Sequence, residues 1–381
     1  METAELKIPH IDFFDPITTK IVELENLREK TIAASTPPSA FSQLHSLFRI
    51  TESLASARIE GNHTTIADYV QDKIEGKDTS QQHKEIANIE ECIQLINDEF
   101  KNNPKFQISE FFIKQLHSVL MKDLTSEGSR VPGAYRSHDV KITGSQHKPP
   151  EFLEVPMLMS DLIGFVNRKD PIKDPRQVDL LKVAIAHHRF VWIHPFDNGN
   201  GRMARLLTYI MLRQYGFFKV YFLNPAAVFC QNRDKYISGL EKADTGTDEN
   251  IKEWCLYVLD GLQRESQKIK KLMSKEFLDT KIILPAIHYS LNNNLISEEE
   301  NIVLKRSVEQ EDYTIMVKDL KEVFKEKNDA QLTYMIKQML SKHLLRKDGE
   351  KSRKYTINLN AHALTRGMLE SLVNENFVEF K

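Results

Sequence analysis

His194, Gly199, Gly201, Arg202 and Arg205 lie within one short stretch, His194-Pro195-Phe196-Asp197-Asn198-Gly199-Asn200-Gly201-Arg202-Met203-Ala204-Arg205. Their types and spacing suit chemistry on a phosphate ester. Gly199 and Gly201 allow backbone angles closed to other residues, so that successive N–H groups can converge on an anion. The apolar run from Met203 (Ala204, Leu206, Leu207, Ile210, Met211) predicts a helix starting at about Asn200. Its free N–H groups and positive dipole end would face the same anion. Arg202 and Arg205 are three apart on that helix and share a face, placed to clamp phosphates. His194, just before the turn, is a base able to take a proton near neutral pH. The plainer reading of the same residues is a helix N-terminus with a glycine turn and two solvated arginines.

The order of these residues resembles the signature of Fic-domain proteins, whose best-known members transfer AMP from ATP to protein hydroxyls. The resemblance rests on His194, Pro195, Phe196, Gly199, Asn200, Gly201, Arg202 and Arg205. It implies that His194 is the general base for a Ser, Thr or Tyr hydroxyl and that Phe196 anchors the loop. It further implies that Gly199, Asn200 and Gly201 hold the ATP phosphates, with Arg202 on the phosphates and Arg205 on the γ-phosphate. The implied reaction is in-line attack on the α-phosphate with pyrophosphate leaving, which needs positioning and charge neutralisation more than covalent catalysis. ATP is then the substrate and Mg2+ the cofactor. In the family an Asp or Glu precedes the first glycine and holds Mg2+. Here that place is taken by Asn198, a neutral ligand, while Asp197 stands one position early. Three outcomes are open: a weaker metal site at Asn198, a ligand at Asp197 instead, or loss of the metal. A phosphorylating relative has Ala and Lys where this chain has Gly199 and Gly201, so the glycines point to the nucleotidyl-transferring branch.

The flanks extend the resemblance. Val183 to Ile193 is an apolar segment of the right length for a helix entering the loop. His187 and His188 within it have no Cys or carboxylate at zinc-like spacing, so a core or helix-face role is expected of them. Upstream, Gly133 to Pro150 holds Val140, Lys141 and Ile142 in alternation before Gly144, a short hairpin signal. It looks like the Fic flap, whose residues Val140, Lys141 and Ile142 would dock the target as an added strand; otherwise it is an ordinary surface hairpin. Beyond the arginine helix, the segment Pro225 to Tyr236 corresponds to the region that borders the nucleotide base in the family. This makes Asn232 and Tyr236 adenine-pocket candidates, against a plain packed helix start.

A second motif predicts control. Ser56-Ala57-Arg58-Ile59-Glu60-Gly61-Asn62 resembles the inhibitory pattern of the family, that of the class II type in which an N-terminal helix restrains the site. The apolar positions before it recur at helical spacing and Gly61 suits a C-cap. The resemblance implies that Glu60 pairs with Arg205, with Ser56 in support. The carboxylate would then offer Arg205 the bidentate partner that the γ-phosphate would otherwise be. The alternative is a helix C-terminus with a solvated glutamate.

The remainder bounds the reading. The chain has 381 residues and 41% hydrophobic content, enough for more than one cored domain. Its formal charge of −2 argues against a polyanion binder as a whole. No apolar run approaches a membrane span, residues 1–20 lack a signal-peptide core, and the three scattered cysteines suit a reducing compartment. A cytoplasmic protein without membrane contact is expected. The fold class expected is mainly α: a Fic-type helical core with a β-hairpin flap, an N-terminal helical region and a C-terminal winged helix-turn-helix. The expected boundaries are 1–105 for the helical region with the inhibitory helix, 106–265 for the Fic core, 266–300 for a helical linker and 301–381 for the winged helix. That last part reads as helix, helix, strand, turn, strand, with Leu332, Met335, Ile336, Met339 and Leu340 marking a buried helix face. The wing carries Arg346, Lys347, Lys351, Arg353 and Lys354, blunted by nearby acidic residues.

Two functions follow. The first is a self-inhibited protein adenylyltransferase that modifies a target protein and itself. The alternative is a DNA-binding regulator whose Fic domain only binds or senses nucleotide. A homodimer is open under either.

Overall fold

A computed structural model describes residues 6–29, 35–75, 80–125, 131–142, 145–168, 176–217, 225–349 and 352–377. Along the chain run helices α1 (Pro16–Glu29), α2 (Pro38–Ile59), α3 (Ile66–Glu75), α4 (Gln81–Asn102), α5 (Glu110–Leu120) and α6 (Val155–Asn167). There follow α7 (Arg176–Ile193), α8 (Asn200–Gln214), α9 (Pro225–Cys230), α10 (Arg233–Ala243) and α11 (Asp248–Leu272). The last part holds α12 (Lys275–Phe277), a π-helical turn (Leu278–Ile283), α13 (Leu284–Asn292), α14 (Glu298–Val308), β1 (Thr314–Ile315), α15 (Val317–Leu320), α16 (Asp329–Ser341), β2 (Leu345–Lys347), β3 (Tyr355–Ile357) and α17 (His362–Asn374). The protein is mainly helical, as expected.

Contacts divide the chain into two compact units that do not follow chain order: Met1–Ile32, Glu52–Thr64 and Asp78–Gln267 form the first, Ala33–Thr51, Thr65–Lys77 and Lys268–Lys381 the second. This differs from the expected boundaries at the N-terminus. Residues 1–105 share their cores with later segments, and α2 itself contributes its first part to one unit and its last turns, with the Ser56–Glu60 motif, to the other.

In the first unit α7 packs against α8 and α6, and α8 packs also against α4 and α5. From Arg202 to Leu212 every residue of α8 is buried. A helix buried on all sides is the centre of a core rather than its skin, so the residues at its N-terminus inherit a rigid support. Serine caps begin two neighbours: Ser80 Oγ accepts from His83 N (3.1 Å) and Ser109 Oγ from Phe112 N (3.2 Å).

In the second unit β3 lies between β1 and β2, both pairings antiparallel, with Thr314 opposite Thr356 and Arg346 opposite Thr356 on the other side. Gln43, from the first part of α2, caps this sheet: its amide donates to Ile357 O (3.1 Å) and accepts from Leu359 N (2.8 Å). Helices α13 and α17 approach so closely at Gly367 that a Cβ there would meet Ala286 O at 2.7 Å. The three strands of the described residues all lie here. In the segment expected as a flap, Ser145 N donates to Ile142 O (3.3 Å), so the chain turns back, but residues 136–142 and 145–150 carry no strand pairing. Gly144, the expected turn residue, lies outside the described residues.

Candidate active site

The loop between α7 and α8 is built from the inside. Phe196 is fully buried and stacks face to face on His117 of α5, the ring centroids 3.7 Å apart. Gly133 N–H donates to His117 Nδ1 (2.9 Å), so Nε2 carries the hydrogen and donates to Asn198 O (3.1 Å). Burial holds this imidazole's pKa down to about 4, which keeps it in that neutral form. Asn200 closes the loop from within: its Oδ1 accepts from Phe196 N (2.9 Å) and its Nδ2 donates to Phe196 O (2.8 Å). Its side chain staples the loop, which leaves its backbone N–H as the group free to meet an anion at the helix start.

Gly199 caps α8 at φ +74°, a left-handed conformation, and a Cβ there would meet Met121 Sδ at 2.9 Å. The conformation favours glycine, and any side chain there would have to displace the Met121 thioether. At Gly201 a Cβ would collide with Glu60 Oε1. The carboxylate of Glu60 therefore lies on the first turn of α8, where helix dipole and N–H groups favour an anion.

His194 takes φ +50°, unusual for a residue with a side chain. Its Nδ1 faces Val191 O (3.3 Å), a group that can only accept, so the hydrogen sits on Nδ1 and Nε2 keeps a lone pair able to accept a proton. Burial, with a smaller push from the Arg136 charge, lowers its pKa to about 4. Its backbone is gripped from outside the motif: Arg136 Nε donates to His194 O (2.9 Å) and Arg136 N to Pro195 O (2.9 Å). The same guanidinium reaches His138 O (3.1 Å) and Pro150 O (2.5 Å) and is 4% exposed. Arg136 thus fastens both sides of the 136–150 segment to the histidine loop. Arg136→Met removes the donor from several partly buried carbonyls, each costing up to about 1–3 kcal/mol when orphaned and less where water reaches it. The expected result is a loss of roughly 3 kcal/mol or more in denaturant unfolding, together with reduced activity; unchanged unfolding would mean that the clamp carries no weight.

Arg205 is 1% exposed. Its Nε donates to Ser56 Oγ (2.9 Å), and its Nη2 donates to Ser56 O (3.0 Å) and to Glu60 Oε1 (2.7 Å). The expected partners are both present, but the pairing is not a carboxylate fork. Ser56 takes two of these bonds and Glu60 one. Burial opposes the charge on Glu60, yet the Arg205, Arg202 and Arg233 guanidiniums hold its carboxyl below the usual range. Arg233 also caps the C-terminus of α2 by donating to Ile59 O (3.0 Å). Arg202 is buried against a residue that no motif marks: its Nη1 donates to Glu85 Oε1 on α4 (2.8 Å).

The other candidates fall into place around the loop. Val140 and Ile142 are half-buried and Lys141 is exposed, in keeping with the alternation. Asn232 is exposed and caps α10, accepting from Lys235 N (2.9 Å). Tyr236 is buried, its hydroxyl 3.0 Å from His187 Nε2, among Phe229 and Trp254. Asn232 thus caps a helix and Tyr236 packs in the core, the plainer of the two readings the sequence offered for them. His187 and His188 are likewise engaged, with Thr208 (2.8 Å) and Asp244 (2.9 Å). Among the described residues no group of three or more His, Cys, Asp or Glu side chains could hold a metal ion. Asp197 Oδ1 is nonetheless buried without a hydrogen-bond partner among them, a hard anionic oxygen of the kind Mg2+ takes, 3.8 Å from His138 Nε2. The residues present fit a cation held by one protein carboxylate with the rest of its ligands from phosphate and water. That fit favours Asp197 over Asn198.

Residues 107–212 match the Fic/DOC family model. The chain carries a Fic domain. It is 33% identical over 140 residues to a probable protein adenylyltransferase of Aquifex aeolicus, covering 36% of this chain and 38% of that protein. It is 28% identical over 215 residues to the protein adenylyltransferase Fic of Culex quinquefasciatus, covering 55% of this chain and 39% of that one. The chain thus spans about two fifths of the length of these relatives. A Fic family protein of Desulfovibrio desulfuricans shares the fold over 92% of this chain and 98% of its own, with a TM-score of 0.54 and 19% identity. No helix among the described residues is long and apolar enough to cross a membrane.

Proposed function

We propose that this chain is a protein adenylyltransferase held inactive by its own N-terminal helix. The observation that carries the reading is the carboxylate of Glu60 on the first turn of α8, bonded to Arg205. An internal anion occupies the place where the motif would receive a phosphate. In the reaction, His194 Nε2 takes the proton of a Ser, Thr or Tyr hydroxyl as its oxygen bonds to the α-phosphorus of ATP; the bond to the bridging oxygen breaks and pyrophosphate leaves. The Gly199–Gly201 turn and Arg205 hold the phosphates in line, at a helix end that needs no reorganisation. Self-modification uses the same chemistry on an exposed hydroxyl. Incubation with α-labelled and, separately, γ-labelled ATP tests the reaction: protein should take label from the first only, and label from the second would make it a phosphotransferase.

Mg2+ would be held by Asp197 and would neutralise phosphate charge when bound. Asp197→Ala is then expected to raise the half-saturating Mg2+ concentration for transfer by about tenfold or more, as loss of a charged ligand does. Asn198→Asp, measured alongside, is expected to change it less. A large response at Asn198 with none at Asp197 would return the metal to the family's usual position.

The order α14, β1, α15, α16, β2, β3 supports a winged helix-turn-helix in the second unit. Arg346, Lys347, Arg353 and Lys354 are exposed there, but Lys354 is near Asp312 (3.7 Å) and Lys321 pairs with Asp329 (2.8 Å). That balance weakens the DNA-regulator alternative, and a protein-docking role suits the unit better.

A further inference from the structure

Arg202 and Glu85 form an ion pair with 3% and 6% of their side chains exposed. Burying two charges costs more than their attraction returns unless each is further satisfied. Glu85 meets that condition: its second oxygen, Oε2, accepts from Asn62 Nδ2 (2.8 Å), and the same amide donates to Gln82 O (2.9 Å) one turn earlier on α4. Asn62 Oδ1 accepts from Thr64 N (3.0 Å), which fixes the amide's orientation. The chain of contacts therefore runs from the residue just beyond the Glu60–Gly61 turn, through Glu85, to the first arginine of the loop motif.

The two sides of the Arg202 guanidinium have different surroundings. Nη1 donates to Glu85, and Nη2 lies beside the anion turn, 3.8 Å from where a Cβ on Gly199 would stand. The geometry points to Glu85 as a positioning residue for the nucleotide. Anchored by Asn62, it holds Arg202 so that the Nη2 edge is presented to the phosphate turn. This rests on the nucleotide-binding reading above. Two effects of Glu85 oppose each other. Its charge repels a nearby phosphate, while its grip removes the freedom that a long arginine side chain would lose on binding. Pairing with Arg202 neutralises most of the first effect, and the second then dominates. Glu85 should thus strengthen ATP binding although it is an anion.

The test uses the full chain carrying Glu60→Gly, so that no internal carboxylate competes. ATP and adenosine affinities are measured by calorimetry with Glu85→Ala and Glu85→Gln added. Glu85→Ala is expected to weaken ATP about tenfold and adenosine hardly at all, with the loss in transfer appearing in KM for ATP more than in kcat. Glu85→Gln, which still accepts from Arg202, is expected to recover part of the affinity. Equal or tighter ATP binding by Glu85→Ala overturns the inference, because repulsion would then outweigh positioning. If Glu85→Ala does not fold, Asn62→Ala replaces it. That variant keeps the Glu85 charge and frees its carboxylate; a several-fold loss of ATP affinity supports positioning, and unchanged affinity overturns it. A parent chain that binds ATP but transfers no AMP would sink the proposed function and leave this inference standing on its binding arm. A parent that binds no ATP overturns both.

Discussion

Glu60→Gly is expected to raise AMP transfer, self-labelling included, by at least about tenfold. Three observations set the expectation. Glu60 Oε1 lies 2.7 Å from Arg205 Nη2 and directly over Gly201, and three guanidiniums keep it ionised. A hydrogen bond to a charged group contributes about 1.5–3 kcal/mol. The 36% exposure of the Glu60 side chain argues for the lower part of that range, since water screens it. Ser56 holds Arg205 by two further bonds that the substitution leaves intact, so the arginine stays in place and only the competing anion goes. Adding Arg205→Ala to Glu60→Gly should reverse the gain, because the γ-phosphate loses its clamp. Equal transfer by Glu60→Gly and the unsubstituted chain at saturating Mg-ATP, with a susceptible target present, would end the autoinhibition account.

His194→Ala, in the Glu60→Gly chain, is expected to lower transfer by about 10²–10⁴-fold, the usual contribution of a general base. ATP affinity should change little, since the proposed reaction asks His194 to take a proton from the hydroxyl and assigns the phosphates to the glycine turn and Arg205. The acid side of the pH–rate profile gives a second reading. A base works only when neutral, and burial lowers the His194 pKa to about 4. Transfer should therefore hold level as the pH drops through the ordinary histidine range near about 6.5 and decline only toward pH 4. A limb centred near the ordinary value, or near wild-type transfer by a folded His194→Ala chain, would remove His194 from the base role.

Much of the site was legible because its parts are local. The histidine, the glycines and the two arginines sit in one turn and one helix start, and the apolar spacing after Met203 fixes the helix that carries them. The sequence places α8 from about Asn200, where the structure begins it, and Glu60 and Ser56 meet Arg205 as the motif implies. What escaped comes from distant chain segments. His117, Arg136, Glu85 and Asn62 carry no periodicity or spacing that marks them, and each acts through a contact that exists only once the helices pack. An isolated arginine such as Arg136 reads as a surface residue until its carbonyl partners are known. The side-chain duty of Asn200 was hidden for the opposite reason: the motif suggested a ligand, and the loop needed a staple. The short helix α3 did leave a local trace, Thr65 Oγ1 accepting from Asp68 N (3.1 Å), but one capping pair before a ten-residue helix is a faint signal. The discontinuous units were beyond reach, since local patterns do not reveal that α2 serves two cores.

The most direct measurement is the intact mass of the Glu60→Gly chain after incubation with Mg-ATP, beside the same chain carrying His194→Ala. The account predicts a mass increase of one adenylyl group or multiples of it in the first and none in the second, with adenylate located on Ser, Thr or Tyr by peptide sequencing. A mass increase of phosphate alone, or adenylylation that persists without His194, would contradict it.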